Sequence, residues 1–353
     1  MSKFRTFLER KNVRPSAKLY FVDAMSTMAL GLFASLLIGT IFKTLGQYTH
    51  LLIFTDIAGY ATKATGAALG VAIAYALKAP ALVMLSAAVV GMIGNDLGTT
   101  ITATGAEPLT VAAGPAGAFL ASVVAVELGK IVSKETHVDI LVTPVVTILS
   151  GALLAKLVCP AVAYGMYYLG AFINTATEMQ PLLMGMLVSV VVGIILTLPI
   201  SSAAICAMIG ITGLAGGAAT AGCCAQMVGF AVISFRENRW GGLVAQGLGT
   251  SMLQMGNIVK NPRIWIPATL ASLITGPIST MVFKLQCTGV SAGMGTCGLV
   301  GPLGILADMG SSPRVWLGIG IVCIVLPAVL SLAFSELLRK LGWIRPGDLK
   351  LNL

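Results

Sequence analysis

Residues 241–277 read GGLVAQGLGTSMLQMGNIVKNPRIWIPATLASLITGP, and we interpret the rest of the chain as the scaffold of this stretch. Its first half is rich in glycine and carries six amide or hydroxyl side chains: Gln246, Thr250, Ser251, Gln254, Asn257 and Asn261. Its second half is an apolar run that begins at Arg263 and contains Pro267 and Pro277. Because unsatisfied polar groups are costly in hydrocarbon, irregular backbone at membrane depth occurs only where it lines a cavity inside protein. We therefore predict a re-entrant, partly unwound element followed by a membrane-spanning helix.

The composition of the chain is that of an integral membrane protein. Of its 353 residues, 57% are hydrophobic and 10% are charged, whereas soluble domains carry about 25% charged residues. The apolar runs are long and do not alternate with polar residues, which predicts helical spans rather than strands. From the length and a requirement of about 20 residues per span, we predict an all-α membrane protein with about ten transmembrane helices and Gly-rich re-entrant or discontinuous segments.

The net charge of +9 is concentrated towards the two ends of the sequence. The flanking basic residues are Lys3, Arg5, Arg10, Lys11, Arg14 and Lys18 before the first span, and Arg339, Lys340, Arg345 and Lys350 after the last. This pattern indicates a positive-inside topology in the lipid bilayer rather than nucleic-acid binding. We predict a basic cytoplasmic segment at residues 1–18, a polytopic membrane domain at 19–338 and a cytoplasmic tail at 339–353.

Two other stretches share the glycine-rich, polar character of residues 241–257. Residues 95–115 read NDLGTTITATGAEPLTVAAGP, and residues 290–310 read VSAGMGTCGLVGPLGILADMG. We interpret the first as irregular polar backbone at membrane depth, with an ordinary external loop as the alternative. In the first interpretation Asp96 and Glu107 are intramembrane carboxylates that accept from solute hydroxyls or carry a proton; the alternative for Asp96 is a helix cap.

The polar residues of the apolar region are mostly neutral, which suits a solute with many hydroxyl or carbonyl groups. The candidate solute-binding residues are Asn95, Asp96, Thr99, Glu107, Gln226, Thr250, Ser251, Gln254, Asn257 and Thr296. Glu127 and Lys130, three residues apart on one helix face, are expected to pair. The seven cysteines include no CxxC pair and there are two histidines, so we predict no metal site, no cofactor and no catalytic residue.

Three runs carry a resemblance to a known family. They are GLAGGAATAGCCAQMVGFA at residues 213–231, AQGLGTSMLQMGNIVKNPRIWIPATLASLITGPI at 245–278, and AGMGTCGLVGPLGI at 292–305. They resemble the phosphotransferase-system enzyme IIC-like membrane family, in the branch that includes perfringolysin O (toxin) regulator-type proteins. The resemblance implies a ten-helix, homodimeric fold in which one domain holds the dimer and the other carries the substrate. It makes residues 95–115, 241–257 and 290–304 the loops that line the substrate site.

What the resemblance implies about function leaves two alternatives. The first is transport of a sugar or sugar-like solute by alternating access, in the cell membrane of a bacterium. In that case the chain is not an enzyme on its own but a permease component that works with separate IIA and IIB proteins. It departs from the better-known enzyme IIC proteins in lacking a clear His/Glu sugar-binding pair, because His50 and His137 both fall in polar loops. The second is a ligand-sensing membrane regulator that moves no solute.

Overall fold

The computed structural model describes residues 3–13, 16–101 and 109–351 of the chain. These residues form α-helices joined by short π- and 3₁₀-helical turns, with one two-stranded antiparallel hairpin. The all-α fold class predicted from composition is confirmed. The α-helices are α1 (Lys3–Arg10), α2 (Met25–Leu32), α3 (Ile38–Thr49), α4 (Leu52–Lys63), α5 (Thr65–Ala76), α6 (Ala81–Asp96), α7 (Gly114–Val132), α8 (Asp139–Thr177), α9 (Pro181–Thr197), α10 (Ser202–Met208), α11 (Gly213–Ile233), α12 (Phe235–Val244), α13 (Met255–Lys260), α14 (Ile266–Pro277), α15 (Gly289–Ala292), α16 (Val300–Met309), α17 (Pro313–Gly318) and α18 (Leu326–Lys340).

The short turns lie within or between these helices, and several extend an α-helix into a full span. The π-helical turns are Leu19–Ala24, Phe33–Leu37, Ala245–Gly249, Ile278–Phe283 and Ile319–Val325, and the 3₁₀ turns are Ser251–Gln254, Pro262–Trp265 and Cys297–Leu299. The chain divides into two compact units. Unit 1 comprises Met1–Leu36 and Gly59–Met166, and unit 2 comprises Leu37–Ala58 and Tyr167–Leu353.

Six helical stretches in the described residues are long and apolar enough to cross a membrane, or seven if the bent pair α4–α5 is one span. The six are Leu19–Lys43, Gly114–Val132, Asp139–Thr177, Gly213–Ile233, Pro262–Phe283 and Pro313–Lys340. Three further apolar helices of 10–17 residues, Ala81–Asp96, Pro181–Thr197 and Cys297–Met309, are shorter than that criterion. The sequence analysis predicted about ten spans. The six long stretches, the bent pair and the three shorter apolar helices together make ten apolar helical segments among the described residues.

In unit 1, helices α5, α6 and α7 pack against one another, and α2 packs against α5. Glycines allow α5 and α6 to touch through their main chains. A Cβ added at Gly70 would lie 1.9 Å from the Ala87 carbonyl oxygen, and one added at Gly91 would lie 2.2 Å from the Gly66 carbonyl oxygen. Such close approach of small residues is how helices associate where lipid removes the hydrophobic driving force.

A hairpin follows α6, and the sequence analysis did not predict it. Strand β1 (Gly98–Ile101) pairs antiparallel with β2 (Leu109–Ala112), with Gly98 opposite Ala112 and Ile101 opposite Leu109. The β-branched threonine, valine and isoleucine residues of these strands favour extended backbone. Residues 102–108, which include the predicted site residue Glu107, lie outside the described residues.

Unit 2 is built around α11, which packs against α9, α14 and α18. Most of α11 is buried, including all residues from Ala215 to Met227. The contact with α9 is made by backbone, because a Cβ added at Gly222 would lie 1.8 Å from the Ser189 carbonyl oxygen. The Ser189 hydroxyl donates to the Ser272 carbonyl of α14 at 2.8 Å, so α9, α11 and α14 form a tight three-helix core.

The stretch that opened the sequence analysis is discontinuous, as predicted. After α12, residues 245–260 pass through a π turn, a 3₁₀ turn and the six-residue helix α13. We call residues 245–260 the re-entrant segment. The predicted membrane-spanning helix follows it as Pro262–Phe283.

Candidate functional site

The predicted solute-binding residues fall in both units. Asn95, Asp96 and Thr99 belong to unit 1, and the six from Gln226 to Thr296 belong to unit 2. Asn95 and Asp96 are the last residues of α6, where the Asn95 amide donates to the exposed Asp96 carboxylate at 2.7 Å. Asp96 therefore ends a helix and does not cap the start of one. Thr99 lies in β1 opposite Val111.

Gln226 on α11 is the centre of a buried polar cluster in unit 2. Its carbonyl oxygen Oε1 accepts from the Trp265 indole Nε1 at 3.0 Å and from the Thr197 hydroxyl at 3.4 Å. Its Nε2 donates to the Thr269 hydroxyl at 3.3 Å. The Thr197 and Ser251 hydroxyls are 2.8 Å apart. We call Thr197, Gln226, Ser251, Trp265 and Thr269 the Gln226 cluster.

The Gln226 cluster joins four elements of unit 2 and is largely shielded from solvent. Thr197 ends α9, Ser251 begins the 3₁₀ turn of the re-entrant segment, and Trp265 and Thr269 lie at the start of the span after it. Gln226, Thr197 and Ser251 have no exposed surface. No side chain of this cluster is ionisable, so it offers hydrogen bonds and an aromatic surface without a formal charge.

Two members of the cluster also line a cavity of about 270 Å³. Trp265 and Thr269 form its polar part, and its other lining residues are Ile194, Pro262, Ile266 and Leu270. Small-molecule sites are concave, mostly apolar and carry a few placed polar groups, and they range from about 300 to 1,000 Å³. The cavity has this composition and lies just below that size range.

Gln254 and Asn257 are predicted site residues that form part of a second polar group. Gln246 Nε2 donates to the Ser234 hydroxyl at 2.8 Å and to the Gly242 carbonyl at 2.9 Å. Gln254 Nε2 donates to Gln246 Oε1 at 2.9 Å, and Asn257 Nδ2 donates to Gln254 Oε1 at 2.8 Å. These three amides form a relay along the re-entrant segment.

The relay continues into the main chain of residues 343–351, which we call the strap. Gln254 Nε2 donates to the Leu349 carbonyl at 3.0 Å, and Asn257 Nδ2 donates to the Lys350 carbonyl at 2.9 Å. Both N–H groups of each of these two amides are therefore used within the chain. The predicted tail at residues 339–353 thus folds back onto the re-entrant segment over its described part.

Thr250 and Thr296, the last two predicted residues, lie at turns of unit 2. The Thr250 hydroxyl accepts from the Met252 amide at 3.1 Å and caps the 3₁₀ turn. The Thr296 hydroxyl donates to the Gly247 carbonyl of the re-entrant segment. Both hydroxyls shape the backbone around the π and 3₁₀ turns.

Sequence reasoning missed the residues that complete both polar groups. Trp265 and Thr269 lie in the apolar half of the opening stretch, and Thr197 lies in a hydrophobic span. Asn238, whose amide donates to the Leu349 carbonyl at 2.7 Å, was not singled out, and the strap was assigned to a cytoplasmic tail. The available signal was Trp265 itself, whose indole N–H needs a hydrogen-bond partner when it is buried in an apolar run.

Metal-ligating side chains do not assemble in the parts of the chain that the structure describes. Within residues 3–13, 16–101 and 109–351, no three His, Cys, Asp or Glu side chains are placed to hold a metal ion. All seven cysteines are buried and free. Glu237 and Arg339 form an ion pair in unit 2, at 3.3 Å.

Comparison with known proteins identifies one family. Residues 22–351 match the family described as Phosphotransferase system, EIIC. No curated protein and no solved structure matches the chain.

Proposed function

The chain belongs to the phosphotransferase-system EIIC family, and on that premise we propose that it carries an uncharged, polyhydroxylated solute, a sugar or sugar-like compound, bound at the Gln226 cluster. Family membership and the apolar helices make it a multi-pass membrane protein and a permease-type transporter. The solute class and its site are the proposal. The observation that carries them is a neutral amide in a membrane-embedded core, bonded to an indole and hydroxyls beside a cavity.

The chemistry of the cluster favours a sugar over a charged solute. A sugar presents hydroxyls, each of which donates one hydrogen bond and accepts others, together with apolar C–H faces. The Gln226 amide, the Thr197, Ser251 and Thr269 hydroxyls, and the Trp265 ring supply matching partners. An ionised solute would need an opposite charge in this buried place, and the Gln226 cluster has none.

The transport cycle that we infer is alternating access. The re-entrant segment supplies Ser251 to the cluster, and its broken helices resemble the discontinuous segments that line transporter sites. Movement of this segment would change access to the cluster. We further propose that the protein works as a homodimer in a bacterial plasma membrane, with both ends cytoplasmic and with a separate IIB protein that phosphorylates the solute.

The test is a thermal-shift screen of the purified protein against sugars, sugar acids, nucleosides and small organic acids. A ligand at about 100 times its Kd stabilises the folded protein by about 2.7 kcal/mol, which is a readily measured shift. We expect neutral sugars to give the shift. In Trp265→Phe, which keeps the ring but removes the indole N–H, affinity should fall about tenfold, the value of one buried hydrogen bond.

The matched control is Trp240→Phe, since Trp240 is 71% exposed and contacts Phe235 rather than the cluster. This variant should bind like the wild type. A shift given by acids alone, or equal loss in both variants, would overturn the assignment of the site. Uptake of the identified solute into vesicles that also contain the phosphotransferase proteins and a phosphoryl donor then separates the two functions. Binding without uptake under these conditions would reject transport and favour a sensor.

A further inference from the structure

The strap is held mainly through its backbone. Asn238 makes a bidentate contact: its Nδ2 donates to the Leu349 carbonyl at 2.7 Å, and its Oδ1 accepts from the Leu351 amide at 2.8 Å. The Glu237 carboxylate accepts from the Leu349 amide at 2.9 Å. Asn238 and Glu237 therefore bind the main chain of the strap, and main-chain hydrogen bonds are what gives a bound peptide its affinity.

The first half of the strap is fixed at Asn261. Its Nδ2 donates to the Trp343 carbonyl at 3.0 Å and to the Asp348 carboxylate at 2.7 Å. Between these points the chain makes a tight turn, in which the Asp348 amide donates to the Arg345 carbonyl at 3.1 Å. Gly347 adopts φ +95° there, a value that L side chains rarely adopt.

Two strap side chains are buried and the others are largely not. Leu349 has no exposed surface and Ile344 is 2% exposed, whereas Arg345 and Lys350 are exposed. Backbone hydrogen bonds and buried side chains are the two components of peptide recognition, because the first give affinity and the second give specificity.

We propose that unit 2 contains a binding site for a turn-forming peptide segment, formed by Glu237, Asn238, Gln254, Asn257 and Asn261. The strap fills this site in cis, and its occupancy locks the re-entrant segment. Release of the strap leaves one N–H of Gln254 and one of Asn257 without their acceptors, at a cost that favours rearrangement of the segment. The relay then transmits the change to Gln246, Ser234 and Gly242.

Docking of the strap is also expected to affect the solute site. Ser251 lies in the re-entrant segment and bonds to Thr197 of the Gln226 cluster, so strap release would loosen that cluster. This consequence rests on the proposed function. The peptide site itself does not depend on any solute and is tested without one.

The experiment is hydrogen–deuterium exchange of the full chain in detergent, comparing Leu349→Asp with Lys350→Asp. The first change puts a carboxylate at a fully buried position whose main-chain amide bonds to Glu237. The second puts the same group at an exposed position. We expect amides 245–257 to exchange about tenfold faster in Leu349→Asp, because at least two hydrogen bonds to the segment are lost. Lys350→Asp should match the wild type, and α5, α6 and α7 should keep their protection in both.

A second variant and a peptide complete the design. Asn238→Ala removes both of its bonds to the strap while Leu349 stays intact, and should release the same segment. A synthetic peptide of residues 343–351 should restore the protection of amides 245–257 in Leu349→Asp. It is added at about 1 mM, which matches the effective concentration of a tethered segment. The same peptide carrying Leu349→Asp is the control and should restore nothing.

Three results would overturn the proposal. If the strap of either variant exchanges freely while residues 245–257 keep wild-type protection, the strap does not lock the re-entrant segment. The residues assigned to the site are wrong if the strap stays protected in both variants. The site is not a peptide site if the wild-type peptide restores nothing.

Discussion

At the scale of single residues, the contact between α9 and α11 depends on the missing side chain of Gly222. In Gly222→Ala the new methyl would meet the Ser189 carbonyl oxygen at 1.8 Å, and neither main chain can yield without separating the two helices. We expect a loss of about 3 kcal/mol of stability, the upper range of overpacking. A lowered thermal midpoint and poor recovery in detergent would show it.

The matched control for Gly222→Ala is Gly165→Ala in the middle of α8. There the described residues leave the added methyl without a neighbour within 4 Å, and alanine favours a helix over glycine by about 1 kcal/mol. The control should melt at or slightly above the wild-type temperature. Equal destabilisation by both changes would mean that close packing at Gly222 does not explain the effect.

Glu127 and Lys130 form a buried ion pair on helix α7. The Lys130 side chain has no exposed surface, and its Nζ lies 3.1 Å from each oxygen of Glu127 and from the Leu77 carbonyl. The pairing predicted from the spacing of three residues is confirmed. In Lys130→Met the Glu127 carboxylate, 13% exposed, loses its cation, and we expect a loss of about 3–5 kcal/mol.

The double variant Lys130→Met, Glu127→Met separates charge from packing. Removing both ions of a buried pair is often neutral or stabilising, so the double variant should recover most of the lost thermal midpoint. If it melts as low as the single variant, the role of Lys130 is its bond to Leu77 or its packing, and not the ion pair.

These residues also mark what local sequence can predict. The spacing of Glu127 and Lys130 identifies an ion pair because helix geometry alone brings them together. Gln226 and Ser251 were identified as polar residues in apolar surroundings, but their partners Thr197 and Trp265 are 29 and 39 positions from Gln226 along the chain. Such contacts are set by how helices pack, which the pattern along one helix does not contain.

At the scale of elements, helix α1 is held by charge to the turn between α7 and α8. Arg10 lies 2.7 Å from Glu135, and Lys11 bonds both to that carboxylate and to the Ser133 carbonyl. The Lys11 hydrogen bond, followed by the charge of Arg10, holds the pKa of Glu135 below its ordinary value of 4.5. A carboxyl with a lowered pKa contributes to docking above its ordinary pKa and loses that contribution as pH falls through the lowered value.

We therefore expect α1 to stay docked at neutral pH and to detach as the solution is acidified below the ordinary carboxyl pKa of 4.5. Glu135→Gln should mimic the acid state at neutral pH, and trypsin should then cleave faster after Lys11. Thr136→Ala, a change to an exposed neighbour in the same turn, is the control and should leave cleavage unchanged. If Glu135→Gln is cleaved no faster than the wild type, contacts other than the Glu135 carboxylate hold α1 in place.

Sequence patterns predicted some of the secondary-structure elements and missed others. The discontinuity of residues 245–260 follows from its glycines and amides, and the span at Pro262–Phe283 follows from its apolar run. The hairpin at Gly98–Ala112 and the docked strap were not predicted. The strap reads as a tail because its hydrogen-bond partners lie on distant parts of the chain. The hairpin strands pair with each other but are only four residues long, so they read as part of a loop.

At the scale of the whole molecule, contacts within unit 2 place the strap and residue 178 near opposite ends of the apolar span Pro262–Phe283. The strap touches Asn261, which immediately precedes the span Pro262–Phe283. Near the far end of that span, the Thr280 hydroxyl donates to the Pro181 carbonyl at 2.9 Å. Its 22 residues give a helix of about 33 Å, close to the 30 Å or so of the hydrocarbon core.

Because these two positions lie near opposite ends of one span, cysteine labelling can test the topology predicted from the charges. All seven native cysteines are buried, so the wild-type chain should react weakly with a membrane-impermeant maleimide. On intact cells Glu178→Cys should be labelled, whereas Arg345→Cys should be labelled only after permeabilisation; both positions are exposed in the structure. The reason is that basic residues flanking spans stay cytoplasmic, and Arg345 lies among Lys340, Lys350 and Arg263. Labelling of both variants from outside would contradict the span between them, and the reversed pattern would place the strap and its peptide site outside the cell.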